Sequence, residues 1–409
     1  MNGMQNEGLK RLSVLIAVAF VDMVGLMIVA PLMPFYALRF HSPEWMVGPL
    51  ISSFAVAQLV SSPIWGRVSD RVGRRPALLI GLIGSGLAYI VFGFANTLWL
   101  LFASRIVQGL GGGTTGVAQA YVADAMAPEE RAKALGWLSA GTSLGVIIGP
   151  PLGSFAARFG PEMPGLVAAA LVFINVLGAY RWLPESRHRY STAPATPPPP
   201  PRSVSHTLWE ILLHPTRPAP RVIWIYVTGM LALNVLIGVM ALYLKDTFGV
   251  TERSIGNVFL VFGAVGVVMR TAPVGWVNGR LGEVRTMRLG AMLMAIGLLL
   301  MPFPNQLWLW VLCLMLVPTG TALLFPASTS LVSQRTERHE LGQVMGAQQT
   351  FRGIMSIIGP IGATVAFDKL GHHVPFYAAA AVMAVAWSLA AREPHPHPAA
   401  ASTVPASAG

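Results

Sequence analysis

The sequence predicts an all-α membrane protein with twelve transmembrane helices in two pseudo-symmetric six-helix halves. Of the 409 residues, 54% are hydrophobic and only 11% are charged, whereas soluble domains carry about 25% charged residues. Twelve apolar segments are long enough, or nearly so, to cross a hydrocarbon core about 30 Å thick. They cover approximately residues 12–38, 46–66, 77–95, 98–123, 133–157, 163–183, 222–244, 254–278, 287–304, 306–332, 342–366 and 374–391.

The second half of the chain repeats features of the first half about 210 positions later. The matching pairs are Gly66 and Gly275, Arg71 and Arg280, Gly73 and Gly282, Gly136 and Gly346, and Gly149-Pro150 and Gly359-Pro360. Internal repeats of six helices are typical of alternating-access transporters, whose substrate site lies near the bilayer midplane between the halves. The repeat therefore predicts transport as the function.

The positions of the basic residues predict the topology. Twenty of the 28 Lys and Arg residues lie on the side of the N-terminus and five on the opposite side, which places both termini in the cytoplasm of a plasma-membrane protein. This bias accounts for the net charge of +11 without a nucleic-acid partner. The predicted parts are a cytoplasmic N-terminus (1–11), a helix bundle (12–183), a proline-rich cytoplasmic linker (184–221), a second bundle (222–391) and a disordered cytoplasmic tail (392–409). Prolines make the linker extended and semi-rigid; a proline ligand for a cytoplasmic partner is the alternative.

A short charged loop follows the second apolar segment. From Gly66 to Arg75 it reads G-x-x-x-D-R-x-G-R-R, which resembles the signature loop between helices 2 and 3 of the major facilitator superfamily. The resemblance implies a cytoplasmic gate in which Asp70 faces the N-terminal end of helix 11 near Gly342, where the helix dipole favours a negative charge. It also implies that Arg74 pairs with Asp124 when the inner side is closed. The expected gate residues are Gly66, Asp70, Arg71, Gly73, Arg74, Arg75 and Asp124. Alternatively, the charges only enforce topology, above all Arg71 and Arg75.

Asp22 is the one acid far inside an apolar run. Ten residues into the first helix, it lies roughly 15 Å deep, near the midplane. A carboxylate there costs at least about 2.5–3.5 kcal/mol unless it faces water or a partner. Because burial disfavours the charged form of a carboxyl and a nearby cation favours it, we predict that Asp22 couples proton movement to transport. The alternative is a structural carboxylate satisfied by backbone or hydroxyl groups.

Arg105 begins the sequence R-I-V-Q-G in the fourth segment, at a depth similar to that of Asp22. The run resembles the R-x-x-Q-G motif of the same superfamily, whose arginine is implicated in proton coupling. The resemblance implies that the permanently charged guanidinium tunes Asp22. The alternative is an arginine that locks helix 4 to helix 1.

Polar residues in otherwise apolar segments are candidates for the substrate cavity. Arg352 lies in the middle of helix 11 and should face the cavity, where it could contact a polar or anionic substrate. Arg270 is close enough to the inner face to extend its charge into water. The expected cavity residues are Gln108, Asn234, Gln348, Gln349 and Arg352.

Helix 5 carries small residues at four-residue spacing. The set is Gly141, Gly145, Gly149, Pro150 and Gly153. Small faces let helices pack closely, and the Gly-Pro pair introduces a bend. The run resembles the motif of the antiporter branches of the superfamily and implies export; helix packing alone is the alternative.

The first half as a whole resembles the drug–proton antiporter branch that includes tetracycline exporters, whereas beyond residue 190 hydropathy and the repeat carry the resemblance. Tetracycline exporters carry essential acids in helices 3 and 9, but residues 77–95 and 287–304 contain none. We therefore expect a monomeric exporter of a small amphipathic molecule or drug, driven by protons, with the lipid bilayer as surroundings and no cofactor, metal or enzymatic activity. The alternatives are a sugar or metabolite facilitator or symporter, and a non-transporting membrane sensor.

Overall fold

The computed structural model describes residues 2–186, 204–215, 217–271, 273–337 and 340–391, and every regular element in these ranges is helical. The α-helices are α1 (Asn2–Val29), α2 (Met33–Arg39), α3 (Val47–Val72), α4 (Arg74–Gly93), α5 (Leu98–Gly111), α6 (Thr114–Ala125), α7 (Pro128–Ala156), α8 (Met163–Trp182), α9 (Val204–Leu213), α10 (Pro218–Phe248), α11 (Ile255–Thr271), α12 (Pro273–Leu281), α13 (Glu283–Leu300), α14 (Leu307–Arg335), α15 (Leu341–Leu370) and α16 (Val374–Ala391). Short 3-10 turns span Ala30–Leu32 and Glu44–Met46. The proline run 197–201 and the tail 392–409 lie outside the described residues.

These helices occupy the twelve predicted regions. By length and composition, nine described segments can cross a membrane, or ten when the bent pair α11–α12 counts as one span. The two remaining regions, α5–α6 and α13, do not meet the length and composition of a membrane span, for physical reasons. A turn separates α5 from α6, and the first two turns of α13 carry Glu283, Arg285 and Arg288.

Glycine and proline move several helix boundaries away from their predicted positions. The first helix begins at Asn2 rather than residue 12 and gives way to a 3-10 turn at Pro31. The fourth region, predicted as one helix, breaks at Gly112-Gly113. A Cβ at Gly113 would lie 2.4 Å from Trp65 Cδ1, so the break lets the indole press against the backbone. The predicted helix 8 is likewise not straight, since α11 and α12 are bent by 49°.

The linker is not extended throughout, contrary to the prediction. Its described part contains α9, in which Leu208 and Ile211 share one face and Ile211 is buried. Trp224 of α10 donates a hydrogen bond to the Ile211 carbonyl at 3.1 Å. Proline does not prevent this helix because Pro215 follows it, and Pro218 occupies the first turn of α10, where a missing N–H costs nothing.

The two halves pack their helices in the same way. In the first half α1 packs on α7 and α8, α4 on α5 and α8, and α3 on α5. In the second half α10 packs on α15 and α16, α13 on α14 and α16, and α11 on α14. These are equivalent pairs in a repeat of six helices, so the packing reproduces the internal repeat of the sequence.

The halves meet mainly through α3 with α15 and α7 with α11. We call the side that carries residues 66–76 the loop side and the opposite side the far side. On the far side, Ser52 Oγ donates to Ile357 O at 2.7 Å and Thr364 Oγ1 to Trp45 O at 3.0 Å. Arg39 forms an ion pair with Glu252. The far side is therefore closed.

The same helices diverge toward the loop side. The helices are still in contact at Gly353, whose added Cβ would lie 3.0 Å from Leu59 Cδ1, and at Gly263, whose added Cβ would lie 3.3 Å from Ile147 Cγ1. Glycines closer to the loop side have open space where a Cβ would stand: Gly66, Gly136, Gly275, Gly342 and Gly346. In this part of α15 the face toward α3 is exposed at Gly342, Gly346 and Gln349, so a cleft between the halves opens to the loop side.

Candidate functional site

Asp22 lies half-buried near the middle of the membrane span Leu12–Arg39, where a hydroxyl group of another helix binds it. Thr114 Oγ1 donates to Asp22 Oδ2 at 3.1 Å. Thr114 is the first residue of α6, so the glycine turn before it positions this donor. The hydroxyl contact satisfies one carboxylate oxygen, which is compatible with both the coupling and the structural interpretation.

The glycines of α7 fix α1 from its other side. A Cβ at Gly145 would lie 2.8 Å from Met23 Cβ, and one at Gly149 would lie 2.4 Å from Met27 Cβ. Gly141 and Gly153 make the same kind of close approach, to Ile16 and Ile28. The backbone on both sides of Asp22 therefore rests directly on α7; the link between this motif and export stays a prediction.

Arg105 is only 3% exposed and binds within the first half without contacting Asp22. Its Nη1 donates to Gln108 Oε1, and Gln108 Nε2 donates to Tyr89 Oη at 2.6 Å. The guanidinium also stacks over the Phe54 ring, 4.7 Å from its centroid. Among the described residues Arg105 makes no hydrogen bond or ion pair with α1, so this conformation contains neither direct tuning nor a direct lock to helix 1.

Tyr89 connects this network to α1 and was missed in the sequence. A Cβ at Gly25, less than one turn from Asp22, would lie 3.3 Å from Tyr89 Oη. The side chains of Arg105, Gln108 and Tyr89 thus form a hydrogen-bonded row that ends against α1 close to Asp22. The available signal was a single tyrosine in an otherwise apolar span.

The signature loop is organised around Arg74. Its Nε lies 2.8 Å from Asp124 Oδ2, its Nη1 lies 2.7 Å from Asp70 Oδ1, and Nη1 donates to Ser69 Oγ at 2.6 Å. The Arg74–Asp124 pair is therefore present, although it was expected when the inner side is closed and the loop side is open here. Asp70 is 63% exposed, and no described atom outside the neighbouring helix backbone lies within 4 Å of a Cβ built at Gly342. The expected contact of Asp70 with the eleventh predicted helix, α15, is absent in this open conformation.

Glu185 is a further residue that sequence reasoning missed at the loop. Its carboxylate accepts hydrogen bonds from the backbone N–H groups of Arg74 at 2.9 Å and Arg75 at 3.1 Å. The first N–H groups of a helix have no partner within the helix, so Glu185 supplies one at the start of α4, where a negative charge also meets the helix dipole favourably. Gly73 precedes them with a φ of +112°, a conformation that only glycine adopts without strain. The sequence feature that could have identified Glu185 was an acidic residue just after the sixth apolar segment, which forms α8.

The candidate cavity residues separate into two groups. Gln108 and Gln348, expected to line the cavity, are each 3% exposed and bind side chains of their own half, since Gln348 Nε2 donates to Thr329 Oγ1 at 3.2 Å. Asn234 donates to Met230 O at 2.8 Å and packs against α15. Gln349 and Arg352 are exposed. Buried amides need partners, so the first group serves packing within each bundle.

On the far side, three turns bring Glu44, Asp246 and His372 together, with possible ligand atoms within 4.8 Å of one another. No sequence spacing predicts this group, because each residue comes from a different turn. Two of the three are exposed, and exposed acidic groups commonly occur without a metal. We assign no metal role to them.

Comparison with known proteins settles the family. Residues 15–272 and 222–407 match the sequence profile of the Major Facilitator Superfamily. The chain belongs to the Major Facilitator Superfamily. It is a multi-pass membrane transporter and not an enzyme, and the predicted all-α fold class is confirmed.

Relatives in this superfamily include drug efflux proteins. Tetracycline resistance protein, class B, of Escherichia coli is 27% identical over 367 residues, covering 88% of this chain and 89% of that protein. Multidrug resistance protein 2 of Bacillus subtilis (strain 168) is 30% identical over 387 residues, covering 92% and 93%. The resemblance to drug exporters therefore extends into the second half, beyond the motifs that predicted it.

Solved transporter structures share the fold. A bacterial homolog of the human lysosomal transporter Spinster, in an inward-facing and unoccupied conformation, superposes with a TM-score of 0.74 at 13% identity, covering 94% of this chain and 96% of that one. The nucleoside transporter NupG gives a TM-score of 0.73 at 12% identity. At such identities the likeness concerns the fold alone.

Proposed function

We propose that this transporter exports small amphipathic molecules across the cytoplasmic membrane in exchange for protons, as a monomer that needs no cofactor and with both termini in the cytoplasm. Its relatives are tetracycline and multidrug resistance proteins. The observation that carries the proposal is Asp22, the one acid among the described residues that lies near the middle of a membrane-length helix.

Asp22 is suited to carry the proton because its surroundings are fixed. Thr114 orients its carboxylate, and the glycines of α7 hold the α1 backbone on both sides of it. Ionisable groups at this depth are costly and are retained mainly on ion and proton pathways. Asp22 would gain a proton when the cleft opens outward and lose it to the cytoplasm when the cleft opens inward.

The gate proposal follows from the asymmetry of the contacts between the halves. With the loop side in the cytoplasm, the present conformation is inward-open. Closing the cytoplasmic side would bring Asp70 to the N-terminal end of α15, and opening the other side would break the Arg39–Glu252 ion pair and the Ser52–Ile357 hydrogen bond. The Arg74–Asp124 pair lies within one half and would hold the loop together in both states.

The test uses purified protein in proteoliposomes with an imposed pH gradient. Lumenal pH is followed while lipophilic cations, neutral drugs, sugars and organic anions are added one at a time. We expect cargo addition to release protons in the wild type and in Asp246→Asn, whose carboxylate pairs with Lys245 at the end of α10. Asp22→Asn should bind the cargo and unfold at the same temperature, yet release no protons.

Two results would reject the proposal. Uphill cargo transport by Asp22→Asn would remove Asp22 from the mechanism. Cargo movement without any proton signal in the wild type would favour a facilitator for sugars or metabolites instead.

A further inference from the structure

Two arginines in the second half lie in membrane-spanning segments and have no acidic partner in the part of the chain that the structure describes. Arg270 stands one residue before the end of α11, and Arg352 lies in the middle of α15. Arg352 Nη1 donates to Gln349 Oε1 at 3.4 Å. Among the described residues neither arginine forms an ion pair with a carboxylate. A cation inside a membrane span is expensive unless it faces a partner or a cavity, so these two positions need an explanation.

Arg270 faces the cleft between the halves. It follows Gly263 by seven residues and Gly256 by fourteen, so all three lie on nearly the same face of α11. This face packs on α7, because a Cβ at Gly256 would lie 2.3 Å from Pro150 O and one at Gly263 would lie 3.3 Å from Ile147 Cγ1. On the loop side of Gly263 the two halves separate. Arg270 lies on the same face of α11 as Gly263, and its side chain therefore projects into the open part of the cleft.

Arg352 faces the same cleft from α15. The next residue, Gly353, lies against α3, since an added Cβ would be 3.0 Å from Leu59 Cδ1. In the far-side part of α15 the exposed residues, such as Ile358 and Val365, lie on the face away from α3. In the loop-side part the exposed residues Gln349 and Arg352 lie on the opposite face. The exposed face thus changes from the lipid side to the cleft where the halves part.

The two charges approach each other from opposite flanks of the second half. Arg352 is near enough to Arg270 for the two charges to interact, and it also lies near Tyr226 of α10. Tyr226 forms an aromatic pair with Phe325 of α14, with ring centroids 5.1 Å apart. Like charges repel each other, and water in the open cleft screens only part of this repulsion. An anion bound by both guanidinium groups would turn this repulsion into attraction, and the half-buried Phe325 ring would offer an apolar surface beside it.

We propose that Arg270 and Arg352 form the binding site for the anionic group of the cargo, and that the cargo is an amphipathic organic anion of the carboxylate or sulfonate class. This inference rests on the proposed function and specifies its substrate class. Guanidinium groups suit such ligands because their planar donors match the oxygens of carboxylate and sulfonate. The two arginines would disfavour cationic drugs in the same cleft.

The charge of the cargo has a measurable consequence for transport. Exporting a monoanion in exchange for one proton moves the equivalent of two positive charges inward, a neutral cargo moves one, and a monocation moves none. Each charge changes the equilibrium cargo ratio about 50-fold per 100 mV of membrane potential. Export of an anion should therefore respond most strongly to an inside-negative potential.

A matched series of probes tests the site by calorimetry with the full-length protein in nanodiscs. The probes are 2-naphthoate, neutral 2-naphthamide and a naphthylmethyl trimethylammonium cation. We expect naphthoate to bind at least about tenfold more tightly than the amide, as a charge-assisted hydrogen bond implies, and the cation to bind most weakly. Equal affinities in the wild type would overturn the proposal, and this comparison requires no variant.

Substitutions then assign the selectivity to the two arginines. Arg270→Gln and Arg352→Gln should each weaken naphthoate binding about tenfold or more and leave naphthamide binding unchanged. Arg280→Gln is the matched control, since Arg280 stacks on Trp276 of its own helix at 4.2 Å, and it should change neither affinity. If folded Arg270→Gln and Arg352→Gln bind naphthoate as tightly as the wild type, the two arginines do not form the proposed anion site.

Proton release in proteoliposomes separates this inference from the proposed function. Proton-coupled export of a neutral or cationic drug, without selective naphthoate binding, would overturn the anion site and leave the antiporter intact. Arginine-dependent naphthoate binding without any proton movement would keep the anion site and reject the antiporter.

Discussion

The contact between α1 and α7 gives a quantitative test of how the fold holds Asp22. Gly149→Ala would place a Cβ 2.4 Å from Met27 Cβ and 2.9 Å from Val24 O. Carbon atoms in contact normally stay about 3.5–4.0 Å apart, so α1 would have to move by about 1 Å. Such overpacking costs about 1–3 kcal/mol, whereas alanine gains about 0.5–1 kcal/mol over glycine within a helix. We expect a net destabilisation of about 1 kcal/mol.

Gly136 of the same helix supplies the matched control. A Cβ there meets no atom within 4 Å, so Gly136→Ala should stabilise the protein by the helical gain alone, about 0.5–1 kcal/mol. The difference between the two variants isolates the overpacking term of about 1–3 kcal/mol. Displacement of α1 should also disturb the Asp22–Thr114 hydrogen bond of 3.1 Å and slow proton-coupled export.

The assay is reversible unfolding in mixed micelles with increasing denaturing detergent, followed by tryptophan fluorescence and combined with proton release in proteoliposomes. The free energy of unfolding should fall in the order Gly136→Ala, wild type, Gly149→Ala. If Gly149→Ala proves as stable as Gly136→Ala, the close approach of α7 to α1 is wrong, and with it the argument that glycines fix the position of Asp22.

Two further predictions concern the gate and the far side. The partly buried Arg74–Asp124 pair (2.8 Å) should give a coupling free energy of about 1 kcal/mol in a double-mutant cycle of Arg74→Gln and Asp124→Asn on unfolding; strictly additive losses would mean that the pair contributes nothing. Gly48→Val should wedge the halves apart on the far side, because even a Cβ would lie 2.5 Å from a carbonyl oxygen of α15. Labelling of Ser52→Cys, in a background without other cysteines, should then become faster, while Gly362→Val, which has open space, should leave it unchanged. Equal labelling rates would contradict the closed far side.

The number of helical regions, the two halves and the charged loop were predictable because each depends on local properties of the chain. An apolar run of membrane length, a repeat at fixed spacing and a cluster of arginines can be recognised without knowing what packs where. The Arg74–Asp124 pair, by contrast, was expected only from the resemblance of the loop to the superfamily signature, and it is present. Helix ends were less predictable, since the break at Gly112-Gly113 depends on an indole from another helix.

The partners of the polar side chains were decided by tertiary structure. Arg105 and Asp22 lie at similar depth in the sequence, yet Arg105 binds Gln108 and Asp22 binds Thr114, because the rotation of each helix selects the neighbours of its side chains. Depth along a helix follows from residue number, but rotation follows from steric fit, such as the glycine face that seats α7 on α1.

The open loop side and the approach of Arg270 to Arg352 likewise depend on how the two halves lie against each other. Both features involve residues far apart in the chain, on α11 and α15, and neither follows from the local sequence around either arginine. The sequence by itself therefore determined a twelve-helix transporter with an acid in its first helix. Only the packing of the helices decided which side is open and which charges face the cleft.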